Sequence, residues 1–190
     1  MHPRLETIIW RRLDTPGHES AGVFRIKSRW TLMGTAVFLY ERRSCRLDYV
    51  VRCDHQWHTV SAKIDGWVGN KLIDINISVD SEHNWQLNRK KCAEVKGCTD
   101  LDLNFSPLTN TLPVRRLNLA VGQEANVRAA WLRFPNFELE PLDQVYRRVS
   151  ISGYHYESGG KEFETDLEVD EAGFVVHYPS LWQKEDFFER

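Results

Sequence analysis

Two aspartates (Asp100, Asp102), an asparagine (Asn110) and two arginines (Arg115, Arg116) fall within one stretch, GCTDLDLNFSPLTNTLPVRRLNL, from Gly97 to Leu119. Neighbouring carboxylates are the raw material of general acid–base hydrolysis. Paired guanidiniums offer forked donors to a phosphate, a sulfate or a sugar. The same residue types also form internal ion pairs that do nothing but hold a fold.

Asp100, Asp102 and Asn104 imitate the first three ligands of a calcium loop, which also requires Gly at its sixth position and Glu at its twelfth. Phe105 and Thr111 stand there, so a calcium loop is excluded. As an acid and base on one strand face, Asp100 and Asp102 would have backbones roughly 6.5–7 Å apart. Glycosidases usually draw their two acids from different elements across a cleft, and no second face is identifiable here. A strand with Leu101, Leu103 and Phe105 inward has polar residues on its other side by default. Adjacent helical residues diverge in direction, so one arginine can pair with Asp100 or Asp102 while the other faces a ligand. The internal pair stands slightly ahead.

Other constellations are weaker. DHQWH places His55 and His58 three apart, which on a strand sends them to opposite faces; only a turn at Asp54 would bring them together. The remaining histidines (His2, His18, His83, His155, His177) are scattered without ligand spacing, so no metal site is expected. Cys45, Cys53, Cys92 and Cys98 lack the close pairs of zinc knuckles and are expected to remain thiols. No nucleophile elbow, phosphate loop or dinucleotide fingerprint appears, and no cofactor is expected. Seven tryptophans could line a sugar- or lipid-binding surface, although sheet core is the safer assignment for any one of them.

These residues need a scaffold, and period-2 alternation supplies it. Cys45, Leu47, Tyr49, Val51 and Cys53 share one parity; so do Ile73, Ile75, Ile77 and Val79, and Phe163, Thr165, Leu167 and Val169. These are half-buried antiparallel strands with one wet face. Turn signals lie at Asp65-Gly66, Gly69-Asn70, Gly159-Gly160 and Asp170 to Gly173. Further strands are expected at Thr7 to Leu13, Val23 to Ser28, Thr31 to Glu41, Trp57 to Ile64, Asn84 to Leu87, Asn126 to Phe134, Gln144 to Tyr156 and Phe174 to Tyr178. Ser106 before Pro107 signals a helix start. With Pro113 disrupting or restarting it, one short irregular helix should lie between Pro107 and Leu117. The fold class is therefore mainly β, sandwich- or barrel-like, with a single helix covering or filling the sheet.

With 190 residues and a net charge of -2, the chain suits one domain (1–190) and offers no basic footprint for nucleic acid. Its start is not a secretory signal, and its most apolar stretch, Trp30 to Tyr40, is too short for a transmembrane helix. A soluble, cytoplasmic protein is expected.

The central stretch, with LDYVVRCDHQWHT (Leu47 to Thr59), QVYRR (Gln144 to Arg148) and EVDEAGFVVHYPSLW (Glu168 to Trp182), resembles the bacterial glycolipid-binding family over nearly the whole chain. The resemblance implies a spiral β-roll, a long antiparallel sheet wrapped around one helix, often as a homodimer, and it brings no catalytic residues. The expectation is non-catalytic binding of a lipid or glycolipid between sheet and helix. Inner strands would hold acyl chains, while Arg115, Arg116, Asn110, Asp100, Asp102 and Tyr146 or Tyr178 surround the polar head. The alternatives are a hydrolase of glycans or lipids using Asp100 and Asp102, and a protein whose dimer surface is its working part.

Overall fold

The computed structural model describes residues 5–26 and 28–186; His2, Lys27 in the expected strand Val23 to Ser28, and the first residues of the segment judged not to be a signal lie outside them. Strands β1 (Leu5–Arg12), β2 (Gly17–Ile26), β3 (Arg29–Tyr40), β4 (Arg43–Cys53), β5 (Thr59–Val68), β6 (Lys71–Val79), β7 (Trp85–Leu87) and β8 (Lys90–Cys92) form the first run. β9 (Asp100–Leu103) precedes a 3-10 turn (Pro107–Asn110) and helix α1 (Thr111–Leu117). Then come β10 (Glu124–Arg133), β11 (Glu138–Arg148), β12 (Gly153–Ser158), β13 (Phe163–Val169), β14 (Val175–Tyr178) and β15 (Trp182–Lys184).

All fifteen strands share one sheet, in the order β8-β7-β6-β5-β4-β3-β2-β1-β15-β14-β13-β12-β11-β10-β9. The strands at its two ends, β8 and β9, are joined only by residues 93–99. A flat sheet of fifteen strands would hold its ends roughly 65 Å apart, whereas that link spans under about 30 Å even fully extended. The sheet therefore has to curl until its ends meet. At the seam the Thr59 N–H donates to Thr99 O (3.0 Å), Thr59 Oγ1 accepts from Leu101 N (2.9 Å), and Trp85 Nε1 donates to Cys98 O (3.0 Å).

The expected parity governs the core: Cys45, Leu47, Tyr49, Val51, Cys53, Ile73, Ile75 and Ile77 are all buried. Phe163 departs from it, being 39% exposed. One strand pair also departs from the expected antiparallel pattern, since β9 runs parallel to β10. Parallel neighbours need a crossover of about a dozen residues or more, and residues 104–123, which contain α1, provide it. The helix lies inside the roll because it is that crossover. Leu108, Leu112 and Val114 are buried against the sheet, with Leu117 packed on the core edge.

Two local expectations are corrected. Asp65-Gly66 is no turn: both lie within β5 opposite Asp48 and Leu47. Gln144 to Tyr156 is two strands, separated by a turn in which the Val149 N–H donates to Gly153 O at 2.9 Å. The short irregular helix expected between Pro107 and Leu117 is a 3-10 turn that passes into α1, with Pro113 in the first turn of α1, where a missing N–H costs little.

Candidate functional site

Ser106 caps the helical segment as its position before Pro107 requires, accepting from the Leu108 N–H at 3.1 Å. Arg115 and Arg116 occupy the last turn of α1, where positive charge suits the carbonyl end, and Asn118 closes it in the left-handed region at φ 41. Their side chains part, as adjacent helical residues must.

Arg116 turns back to β9 and grips Asp100 with both donor arms, Nε to Oδ1 at 3.3 Å and Nη2 to Oδ2. Asp100 is 2% exposed, because β9 is covered on both faces rather than wet on one. Burial pushes its carboxyl upward while the guanidinium pulls it down. These two residues are tied to each other.

Asp102, two positions on, meets neither arginine in an ion pair. Gln144 Nε2 donates to its Oδ2 at 2.6 Å and also reaches the Tyr156 hydroxyl at 2.9 Å. Burial pushes the Asp102 carboxyl up to about 6, against the hydrogen bond from Gln144 and with a further push from Asp100. It lines a cavity of about 330 Å³ whose wall includes Ser106, Asn110, Trp131, Tyr156, Phe163 and Tyr178. Asn110 is fixed at both ends, its Nδ2 donating to Pro107 O at 3.2 Å and its Oδ1 accepting from the Tyr146 hydroxyl at 2.8 Å. Tyr146 stands behind this cavity and is 1% exposed. Burial raises Tyr146, Tyr156 and Tyr178, which stay neutral phenols able to donate.

Arg115 points to the other end of the helix. It pairs with Glu6 at 2.9 Å and lies over the Trp57 ring at 5.6 Å. Trp57 stacks on Trp30 with centroids 4.2 Å apart. Arg115, both tryptophans, Arg148 and Tyr154 line a cavity of about 660 Å³. Gly173 admits the arginine: it has φ +79, and a Cβ there would stand 3.3 Å from Arg115 Cδ. The Arg148 guanidinium is taken up by the carbonyls of Leu119, Ser150 and Ile151.

The seven sequence candidates thus divide. Asp102, Asn110 and Tyr178 share one cavity, Tyr146 supports it, Asp100 and Arg116 form an internal pair, and Arg115 lines the second cavity. Of the tryptophans, Trp10, Trp57, Trp85 and Trp182 are buried, whereas Trp30 and Trp131 are half-buried at cavity walls.

A buried cluster escaped the sequence. Glu19 of β2 is 1% exposed and receives hydrogen bonds from the Tyr49 hydroxyl and from Ser106 Oγ, the latter at 2.6 Å. Burial raises it to about 7 despite those donors and nearby Arg12. The available signal was its parity with Ala21 and Val23, an acid on an apolar face. Ser106 links this cluster to the wall of the smaller cavity.

The family described as "Putative glycolipid-binding" matches residues 7–184. The chain is similar to a solved structure, a DUF1089 family protein from Pseudomonas aeruginosa. That protein shares 32% identity over 87% of this chain and 91% of its own, with a TM-score of 0.76. No curated protein matches.

Proposed function

The chain belongs to the glycolipid-binding family, and from that premise we propose that it holds the sugar head of a glycolipid in the cavity between β9–β15 and the 3-10 turn. The carrying observation is one cavity in which Asp102 and Asn110 face the rings of Trp131, Tyr156, Phe163 and Tyr178. Sugars present hydroxyls at their edges and apolar C–H faces, so a site for them combines carboxylate and amide groups with aromatic walls. At neutral pH Asp102 is mostly ionised, a pure acceptor for hydroxyl donors. At about 330 Å³ the cavity sits at the low end of small-molecule sites, which run about 300–1,000 Å³. That is room for a head group and not for a two-chain lipid. The inner faces of β3 to β5 are packed solid at Leu32, Leu47, Val51 and Ile64, so acyl chains are expected to leave past Leu142 and Leu181.

Binding without turnover is expected, because Asp100 is tied to Arg116 instead of facing the cavity with Asp102. A second copy would fit the outward face of β1 and β3, where Ile9, Met33, Val37 and Leu39 are 41% to 50% exposed. A cytoplasmic setting suits its four unpaired cysteines. No helix of the described residues is long and apolar enough to cross a membrane.

Calorimetric titration with octyl glucoside below its micellar range tests the site. Trp131→Ala and Phe163→Ala should each weaken binding at least about tenfold, with unfolding midpoints close to wild type. Unchanged affinity in both would place the sugar elsewhere. Release of free sugar by wild type, lost in Asp102→Asn, would replace binding with hydrolysis. Native mass spectrometry followed by lipid extraction identifies the bound lipid and the oligomeric state.

A further inference from the structure

The outward face of β12 carries His155 and Glu157; that of β13 carries Glu164 and Asp166. Strand register sets Glu157 directly opposite Glu164, and His155 directly opposite Asp166. Ligand atoms of His155, Glu157 and Glu164 lie within 4.8 Å of one another. Like charges facing each other across a strand pair repel, so this arrangement needs positive charge.

His155 Nδ1 stands 2.8 Å from Asp166 Oδ1. A carboxylate only accepts, so the ring proton is on Nδ1, and in the neutral imidazole Nε2 presents a lone pair. That lone pair faces Glu157 Oε1 at 3.4 Å. Glu157 is 7% exposed and accepts no hydrogen bond among the described residues. Its other charged neighbour is Lys161 Nζ at 3.8 Å, on a side chain 71% exposed. On the far side of β12, Val145 sits opposite Glu157, and Arg147 opposite His155 is engaged by Glu124 at 2.6 Å.

A carboxylate opposed to an imidazole lone pair favours a cation between them, either a proton or a metal. A shared proton draws nitrogen and oxygen to about 2.7–2.9 Å. The 3.4 Å between Nε2 and Oε1 is close to the edge of a tetrahedron, roughly 3.3 Å for metal–ligand bonds of about 2.0–2.1 Å. We propose that His155, Glu157 and Glu164 bind a divalent cation of the zinc class, with Asp166 orienting the imidazole through Nδ1. The nitrogen ligand selects against Ca²⁺ and Mg²⁺, which take oxygen. The Asp166–His155 contact is the outer carboxylate–histidine link typical of such sites. Three protein ligands leave a position for water. Glu157 also lines a groove of about 590 Å³ with Arg128 and Asp143, which gives the ion a path from solvent. Exposed Lys161 can let go of Glu157 and swing into water when the ion enters. His155 looked isolated in the sequence because Glu164 and Asp166 become its neighbours only through the β12–β13 register.

Calorimetry with Zn²⁺ on the whole protein, with Mg²⁺ as control, is the test. One Zn²⁺ per chain is expected, with Mg²⁺ silent. His155→Ala and Glu164→Gln should each lose at least about tenfold in affinity, and Asp166→Asn about 10–100-fold. Zn²⁺ should raise the unfolding midpoint of wild type and leave that of His155→Ala unmoved. Full affinity in His155→Ala, or no stoichiometric Zn²⁺ uptake by wild type, overturns the site.

Discussion

Glu19 shows how much one residue can bias the pH dependence of the whole protein. Its carboxyl is buried, and Oε2 and the neighbouring Arg12 Nη1 both lack a hydrogen-bond partner among the described residues. The folded-state value, about 7, exceeds the ordinary 4.5. Between these values the folded protein keeps a proton that the unfolded chain has lost, so Glu19 makes stability fall as pH rises from about 4.5 to 7. Above pH 7 both states are ionised and the penalty is constant, on the order of 3 kcal/mol. Asp102, raised to about 6, adds to the same slope. Asp54 and Asp80, lowered from 3.8, act with the opposite sign in more acid solution. Urea denaturation at pH 5 and pH 7.5 should show wild type losing stability as pH rises. Glu19→Gln should flatten the curve and leave the contributions of Asp102 and Asp100, the other carboxyls raised by burial. An equal slope in both proteins would remove Glu19 as the cause.

At the level of elements, α1 and β9 are clamped by Arg116 and Asp100, 17% and 2% exposed at the side chain. Arg116→Ala leaves Asp100 charged, buried and unpaired, a loss expected to cost about 3–5 kcal/mol. Adding Asp100→Asn to that variant removes the stranded charge and should recover part of the loss, as read by urea denaturation. Recovery identifies the pair rather than the packing of the arginine stem as the source. Much of this element-level structure was legible in the sequence. Period-2 parity located the long strands, and Ser106-Pro107 located the helix start, because burial and capping are local rules. Gly66 misled for a physical reason: it has φ +138 and a Cβ would stand 2.0 Å from Arg46 O, so glycine is needed inside β5 itself. Turn chemistry and a close strand approach select the same residue. β7, β8 and β15 have three residues each, too few to display a period, and only Asn84 to Leu87 hinted at one of them. Glu19 was missed because β2 begins at Gly17, well before the apolar run at Val23 announces it.

At the scale of the whole molecule, the roll depends on long-range closure that no local pattern encodes. Strands β8 and β9 are neighbours in sequence and opposite ends in sheet order, and the hydrogen bonds along residues 97–101 bring those ends together. The two cavities flanking α1 exist because the curled sheet wraps a helix too short to fill it from end to end. Both candidate polar groups, Asp102 and Arg115, thereby acquire partners remote in sequence, Gln144 and Glu6. Thr59 tests this closure with a change of almost no volume. Thr59 is 2% exposed, and its Oγ1 accepts from the Leu101 N–H across the seam. Thr59→Val keeps the shape but strands a buried donor, costing about 1–3 kcal/mol. If the seam closes the roll, the loss should be felt first where the sheet ends meet. Hydrogen exchange should accelerate together at Leu101, Leu103 and the β7 amides, while amides of β1 and β2, in the middle of the sheet, keep their protection. Uniform acceleration across all strands would mean that the seam opens only with the whole fold.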